Sequence, residues 1–319
     1  MGRGQGLSRS GDVSALSVEH QFHDRENVMS SVVAIRTNRW TSEEERLVAN
    51  LQQAKGEDVV VVFHNRPEGV VPPVPVIDLN DQVCEAMGLG LPHDWGWRCG
   101  DYFYYALRAA RPEYEFYWLV EPDVMFTGDP SSFFAAFEGD DRDLLGVSPG
   151  PFENKAHPFL STLQHLEPYR AIFALTRFSG RALDRLLPQR QASAKVPKLV
   201  RKFANDEFFT FSTVQADPEL SIGDLVEGAP SWFDGAYVES DPDLLIDLVR
   251  DDESLRDKVF HPVKTKEFWM TSVAHRLSNK TAFLKHMVPS LKKLSDEEIE
   301  AMAQMAHDNV LAALKKARG

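Results

Sequence analysis

The chain has 319 residues, 43% of them hydrophobic and 26% charged, and its 35 basic against 48 acidic side chains leave a formal net charge of −13. That balance argues against nucleic acid as a partner, which calls for a basic footprint, and against a disordered composition. The length permits one large domain or two packed lobes, while Cys84 and Cys99 alone imply no disulfide framework and fit a reducing compartment.

Residues 1–27 begin MGRGQGLSRSGD, charged and without a following apolar segment, and read as a solvated tail. The longest stretch free of Lys, Arg, Asp and Glu, Ala156–Leu166, is shorter than the roughly 18 apolar residues of a spanning helix, so no transmembrane segment is expected. Ser31–Ile35 is a β-branched run, and after a short loop Thr41 and Glu44 form a capping box ahead of the helical stripe Leu47, Val48, Leu51 and Ala54. Asp58–Phe63 and Pro75–Leu79 read as strands covered on both faces. Gly100–Ala110 is a helix stopped before Pro112, and Phe116–Val120 and Asp143–Val147 are strands. This order predicts an α/β fold with a mostly parallel sheet flanked by helices, its ligand beyond the carboxyl ends of the strands.

From Pro151 the pattern is more mixed, with helices expected near 159–167, 179–187 and 205–215. Residues 188–203 hold a basic cluster, Arg190, Lys195, Lys198, Arg201 and Lys202, which reads either as a solvated face or as a lip for an anionic substrate or membrane surface. Ser295 and Glu298 form a second capping box before a C-terminal helix with Ile299, Met302, Met305, Val310, Leu311 and Leu314 at helical spacing, suited to packing on the body or on a partner chain.

The segment EFYWLVEPDVMFTGD, Glu115–Asp129, carries the most chemistry. In a strand, residues two apart face one side, so Glu121 and Asp123 project together from the end of Phe116–Val120. Two carboxylates at one rim repel unless a cation joins them, and hard oxygen ligands suit Mg²⁺ or Mn²⁺ that also bridges a substrate diphosphate. Lys264 can help neutralise such a diphosphate. Asp206 or Glu207 in NDEFFTF can take a proton from an attacking hydroxyl, although Asn205 can equally be a plain helix cap. Asp101 can bind sugar hydroxyls or cap its own helix, and a lone His261 can be a ligand or an ordinary hydrogen-bonded residue.

In motif order and spacing the chain resembles the GT-A fold glycosyltransferases over roughly residues 28–265. The resemblance implies a nucleotide-sugar-binding half at 28–150, an acceptor and catalytic half at 151–275 and a helical extension at 276–319. It places the nucleotide at the first strand and its loop, Ala34–Arg39, with Thr37, Asn38 and Arg39 named as contacts, and the acidic motif at Glu121 and Asp123. Asn205, Asp206 and Glu207 match the later acidic string near the acceptor, and His261 in FHPVK matches a further metal ligand. Glu in place of the first Asp, and Pro122 between the acids, depart from the usual motif and make Asp123 the expected direct metal ligand, with Glu121 bonding ribose or water.

The resemblance thus implies a metal-assisted glycosyltransferase that uses a nucleotide-diphosphate sugar on a glycan or lipid-linked saccharide, as in polysaccharide biosynthesis. It is expected to be cytoplasmic or peripheral at a membrane, with a homo-oligomer through the C-terminal helix as an option. A nucleotidyltransferase, which wants a Gly-rich loop that AIRTNRW lacks, and a non-catalytic nucleotide-sugar-binding scaffold are the alternatives. No GxGxxG follows the first strand and no P-loop, GxSxG or CxxC motif occurs, which removes the dinucleotide, P-loop, serine-hydrolase and structural-zinc readings.

Overall fold

A computed structural model of the protein describes residues 29–154, 166–196, 204–240, 242–278 and 295–318, together with Met1, His157, Phe159, Leu160 and Leu163. The predicted tail after Met1, residues 161, 162, 164 and 165 of the predicted helix near 159–167, and Lys198, Arg201 and Lys202 lie outside the described residues.

The first half alternates strand and helix as its apolar periodicity requires. β1 (Ser31–Thr37) leads to α1 (Ser42–Lys55), whose start is closed by the Thr41/Glu44 capping box. β2 (Val59–His64), β3 (Val76–Leu79), α2 (Asp81–Ala86), α3 (Trp95–Arg98), α4 (Gly100–Ala110) and β4 (Phe116–Val120) follow. The remaining main elements are β5 (Met125–Phe126), α5 (Ser131–Ala135), β6 (Leu144–Pro151), β7 (Tyr169–Ser179), α6 (Gly180–Ala194), α7 (Asp206–Ala216) and β8 (Ile222–Asp224).

Seven strands form one sheet in the order β3-β2-β1-β4-β7-β6-β8. β7 runs antiparallel to both its neighbours, and every other pairing is parallel. The sheet is therefore mostly parallel with one reversed strand inserted, and it runs through both halves of the chain. Sequence reading missed β7, the longest strand, because Arg170 and Arg177 interrupt its apolar run. Arg177 is nevertheless buried, donating to the carbonyls of Phe137, Asp140 and Arg142.

Residues of β1 and β2 alternate between two cores, Val32, Ala34, Val60 and Val62 facing one layer and Val33, Ile35, Val59, Val61 and Phe63 the other. Burial on both faces explains why these strands read as continuous apolar runs. β1, β2, β3 and β4 end at one edge, and the chain leaves β4 there directly into Glu121.

Further short strands complete that edge. β9 (Tyr237–Val238) and β11 (Val259–His261) form a small sheet with β5, and β10 (Leu244–Leu245) pairs with β12 (Val263–Lys264). Helices Lys266–Ser278 and Asp296–Arg318 come next, the latter beginning at the predicted Ser295/Glu298 box. Among the described residues no helix is long and apolar enough to cross a membrane.

Candidate active site

At the carboxyl edge of the sheet two cavities share a wall made of Arg36, Trp97, Glu121 and Asp123. The larger, about 570 Å³, reaches past Thr37, Asn38 and Arg39 to His64, Asp81 and Trp95, and also touches Lys264. The smaller, about 220 Å³, is lined by Asn205, Asp206, Glu207, Asp243 and His261. All but one of the candidate catalytic, substrate-binding and metal residues thus line one or both of these cavities. The exception is Asp101, which lines neither.

Glu121, Asp123 and His261 each present one ligand atom, and the three atoms lie within 4.8 Å of one another. The local chain explains this convergence. The end of β4 sets the two carboxylates on one side, β5 pairs with β11 and delivers His261, and the Val263 amide donates to the Asp123 carbonyl at 2.8 Å. Nδ1 of His261 lies 2.8 Å from the Glu239 carbonyl, a bond that makes Nδ1 the donor and turns Nε2 toward the acids. Nε2 is 3.5 Å from Asp123 Oδ1 and 3.6 Å from Glu121 Oε2. The other oxygen of each acid is taken, that of Asp123 by Lys264 and that of Glu121 by Arg36. Two oxygens and one nitrogen therefore face a common point, a donor set that suits Mn²⁺ or Mg²⁺. Glu121, which sequence reading assigned to ribose or water, offers Oε2 to the same point as Asp123 and His261.

The electrostatics match that geometry. Burial disfavours the charge of Asp123, but hydrogen bonds and attraction from His261, and then Lys264, hold it well below the usual carboxylate range. Glu121 is likewise lowered, with Arg36 and His261 prevailing over burial. Burial opposes protonation of His261 too, yet Asp123 and Glu121 push it up to about 10.

Arg36 falls within the Ala34–Arg39 stretch expected to hold the nucleotide, but sequence reading did not name it as a site residue. It is the last inward-facing position of β1, with its guanidinium 5.7 Å from the ring centroids of both Phe103 and Phe173. It joins Glu121 on one side to Asp206, at 3.2 Å, on the other. The signal for it was a charge within an otherwise apolar strand, VVAIRT.

Asn205 caps α7, its Oδ1 accepting from the Phe208 amide, and this places Asp206 and Glu207 in the first turn. Asp206 is 4% exposed and accepts from the amides of Gly100 and Glu207, each at 2.8 Å, as well as from Arg36. Burial raises it to about 7 against the pull of Arg36. Glu207 is less enclosed: Asn205 Nδ2 lies 3.3 Å and Arg170 3.6 Å away, and burial again raises it above the usual range.

In the loop after β1, Arg39 pairs with Glu43 at 2.6 Å and lies 3.9 Å from the Phe268 ring, while Thr37 bonds Glu44 at 3.0 Å. Both still border the larger cavity, as does Asn38. Asp101 instead forms a two-point pair with Arg190 at 2.6 and 2.9 Å, both side chains 1% exposed. Its expected contact with sugar hydroxyls has no path through that packing, and Arg190 is not part of a basic lip. Among the tryptophans, Trp95 and Trp232 are buried, whereas Trp97 is 66% exposed on the wall between the cavities.

No protein-family model matches the chain, and no curated protein matches it significantly. Among solved structures it is similar to a glycosyltransferase involved in the glycosylation of the major capsid of PBCV-1, at 9% identity and TM-score 0.36 over 72% of this chain and 92% of that one. An inositol-1-phosphate CTP transferase from T. maritima is similar at 10% identity and TM-score 0.33, over 62% and 86%. A 4-diphosphocytidyl-2C-methyl-D-erythritol synthase from Anaerococcus prevotii is similar at 9% and 0.36, over 62% and 88%. Likeness at this level does not reach to substrate or reaction.

Proposed function

We propose that the protein is a divalent-metal-assisted glycosyltransferase that moves a sugar from a nucleotide diphosphate to a hydroxyl acceptor. The observation that carries this reading is the meeting of Glu121, Asp123 and His261 where two cavities adjoin, with Glu207 in the lining of the smaller one. The larger cavity has the volume and mixed lining of a ligand site and is assigned to the donor. The smaller is assigned to the acceptor, a saccharide or lipid-linked saccharide.

Asp123 Oδ1, Glu121 Oε2 and His261 Nε2 are the atoms that would hold Mn²⁺ or Mg²⁺. When bound, the cation supplies Lewis-acid neutralisation of the departing diphosphate. Lys264 and Arg36 add fixed positive charge next to that leaving group. Glu207 takes the proton of the attacking hydroxyl, burial raising its carboxyl above the usual range and so favouring proton uptake. Asp206, with donors from Gly100, Arg36 and Glu207, is the positioning residue that fixes the first turn of α7. Trp97, exposed on the common wall, offers a flat face on which a sugar ring can rest.

Purified protein incubated with a panel of nucleotide-diphosphate sugars and Mn²⁺ should release nucleotide diphosphate from one of them. Asp123→Ala should lower that rate by several kcal/mol of lost charge stabilisation, about three decades at roughly 1.4 kcal/mol each. Equal turnover by both proteins sinks the metal role; turnover of a nucleoside triphosphate and sugar phosphate to a nucleotide sugar would instead identify a nucleotidyltransferase.

A further inference from the structure

The helix Asp296–Arg318 presents almost its whole surface to solvent. Of its described side chains only Val310 is half-buried; along one face Ile299 is 38% exposed and Ala303, Ala306, Ala313 and Ala317 are exposed with it. Most of the stability of a protein helix comes from covering its apolar face, so a bare face of this length calls for an occupant.

Two features say which one. Ile299, Ala303, Ala306, Val310, Ala313 and Ala317 repeat at alternating steps of four and three, the seam of a coiled coil. Four of the six are alanine, so the seam is narrow and lets a second helix approach closely. The charge is also polarised: Asp296, Glu297, Glu298 and Glu300 occupy one end, Lys315, Lys316 and Arg318 the other. This polarity offsets the dipole of each helix, and it makes the face self-complementary when two copies run in opposite directions. A lipid surface is a poorer match, because helices that lie on membranes carry Lys and Arg along the polar face, and here five acids outnumber three bases.

We propose that this helix binds the same helix of a second copy of the chain, antiparallel, about a two-fold axis passing near Asp308. Ile299 then stands opposite Ala317 of the second copy, Ala303 opposite Ala313, and Ala306 opposite Val310. Glu298 and Glu300 come alongside Arg318 and Lys316 of the second copy at both ends, as the isologous contact of a symmetric dimer requires.

Sedimentation equilibrium of the full chain tests this. The expected mass is twice 36.0 kDa, and a monomer at every concentration overturns the proposal. Reversing the basic end with Lys315→Glu, Lys316→Glu and Arg318→Glu should raise the dimer dissociation constant about tenfold or more. Adding Glu297→Lys, Glu298→Lys and Glu300→Lys to the same chain should restore it. A dimer indifferent to the reversal, or one that the compensating set does not restore, places the contact elsewhere and overturns the proposal. Ala306→Glu, at mid-seam and away from both charged ends, should give a monomer whose body still unfolds cooperatively; a persisting dimer is likewise decisive against the seam.

Discussion

Two buried charge clusters, one inside the core and one at the cavities, differ in what they leave undone. In the Asp101–Arg190 pair both carboxylate oxygens meet guanidinium nitrogens, a third nitrogen reaches the Ala204 carbonyl at 3.0 Å, and the Phe209 ring covers the charge at 3.8 Å. Nothing remains for a ligand to satisfy. In the Glu121–Asp123–His261 cluster each acid has one oxygen engaged, by Arg36 or Lys264, and one aimed at an imidazole nitrogen across an ion-pair distance of 3.5 or 3.6 Å. That cluster borders both cavities. Burial of charge does not by itself mark a functional site; an incomplete set of partners next to an open space does.

The largest separation between the two regions should appear in catalysis. Glu207→Gln should cut the transfer rate about 10²- to 10⁴-fold, as measured with saturating donor, while donor affinity stays unchanged. Loss of donor binding would instead make Glu207 part of the donor site.

The closed pair should answer in stability. Asp101→Asn leaves Arg190 charged in the core without its counter-ion and should cost about 3–5 kcal/mol in urea unfolding, with nucleotide affinity of the folded protein unaltered. A fall in affinity at constant stability would break the comparison.

Gly100 stands on the boundary, one residue before Asp101 and donating its amide to Asp206. A Cβ there would come within 2.1 Å of Arg36 Nη1, 2.5 Å of Asp206 Oδ2 and 2.7 Å of Phe173. Gly100→Ala should therefore lose about 1–3 kcal/mol to overpacking and disturb activity as well, joining both phenotypes in one substitution.

The smallest effect is graded with pH. The imidazole must be neutral to ligate, and in the metal-free protein His261 holds its proton up to about pH 10. Mn²⁺ affinity by calorimetry should thus rise about tenfold per pH unit through the neutral range, with release of one proton. The stability that protonated His261 lends the metal-free fold runs the other way, being complete below its ordinary value near 6.5 and fading as pH climbs toward 10. Affinity flat with pH would remove His261 from the ligand set.

The range of the forces involved decides how much of this was legible in the sequence. β1, α1, β2, α4 and β4 were readable because local periodicity and the Thr41/Glu44 cap determine them. The acid pair was readable because a strand's two-residue period is local too. Asp101 misled because its partner lies 89 residues away, and no local pattern announces such a pairing. Arg36 was passed over in favour of the loop residues 37–39, since the alternation that turns it inward toward Phe103 and Phe173 matters only once α4 and β7 are packed beside it. β7 itself was lost to its arginines, since the carbonyls that satisfy Arg177 are supplied only by the folded chain.

Because a single guanidinium grips both Glu121, in the wall common to the two chambers, and Asp206, in the lining of the smaller, the two chambers are not separately adjustable. Widening one by altering that wall tilts the first turn of α7 in the other, so under the function proposed above a redesign of donor choice is at the same time a redesign of where the acceptor's hydroxyl comes to rest.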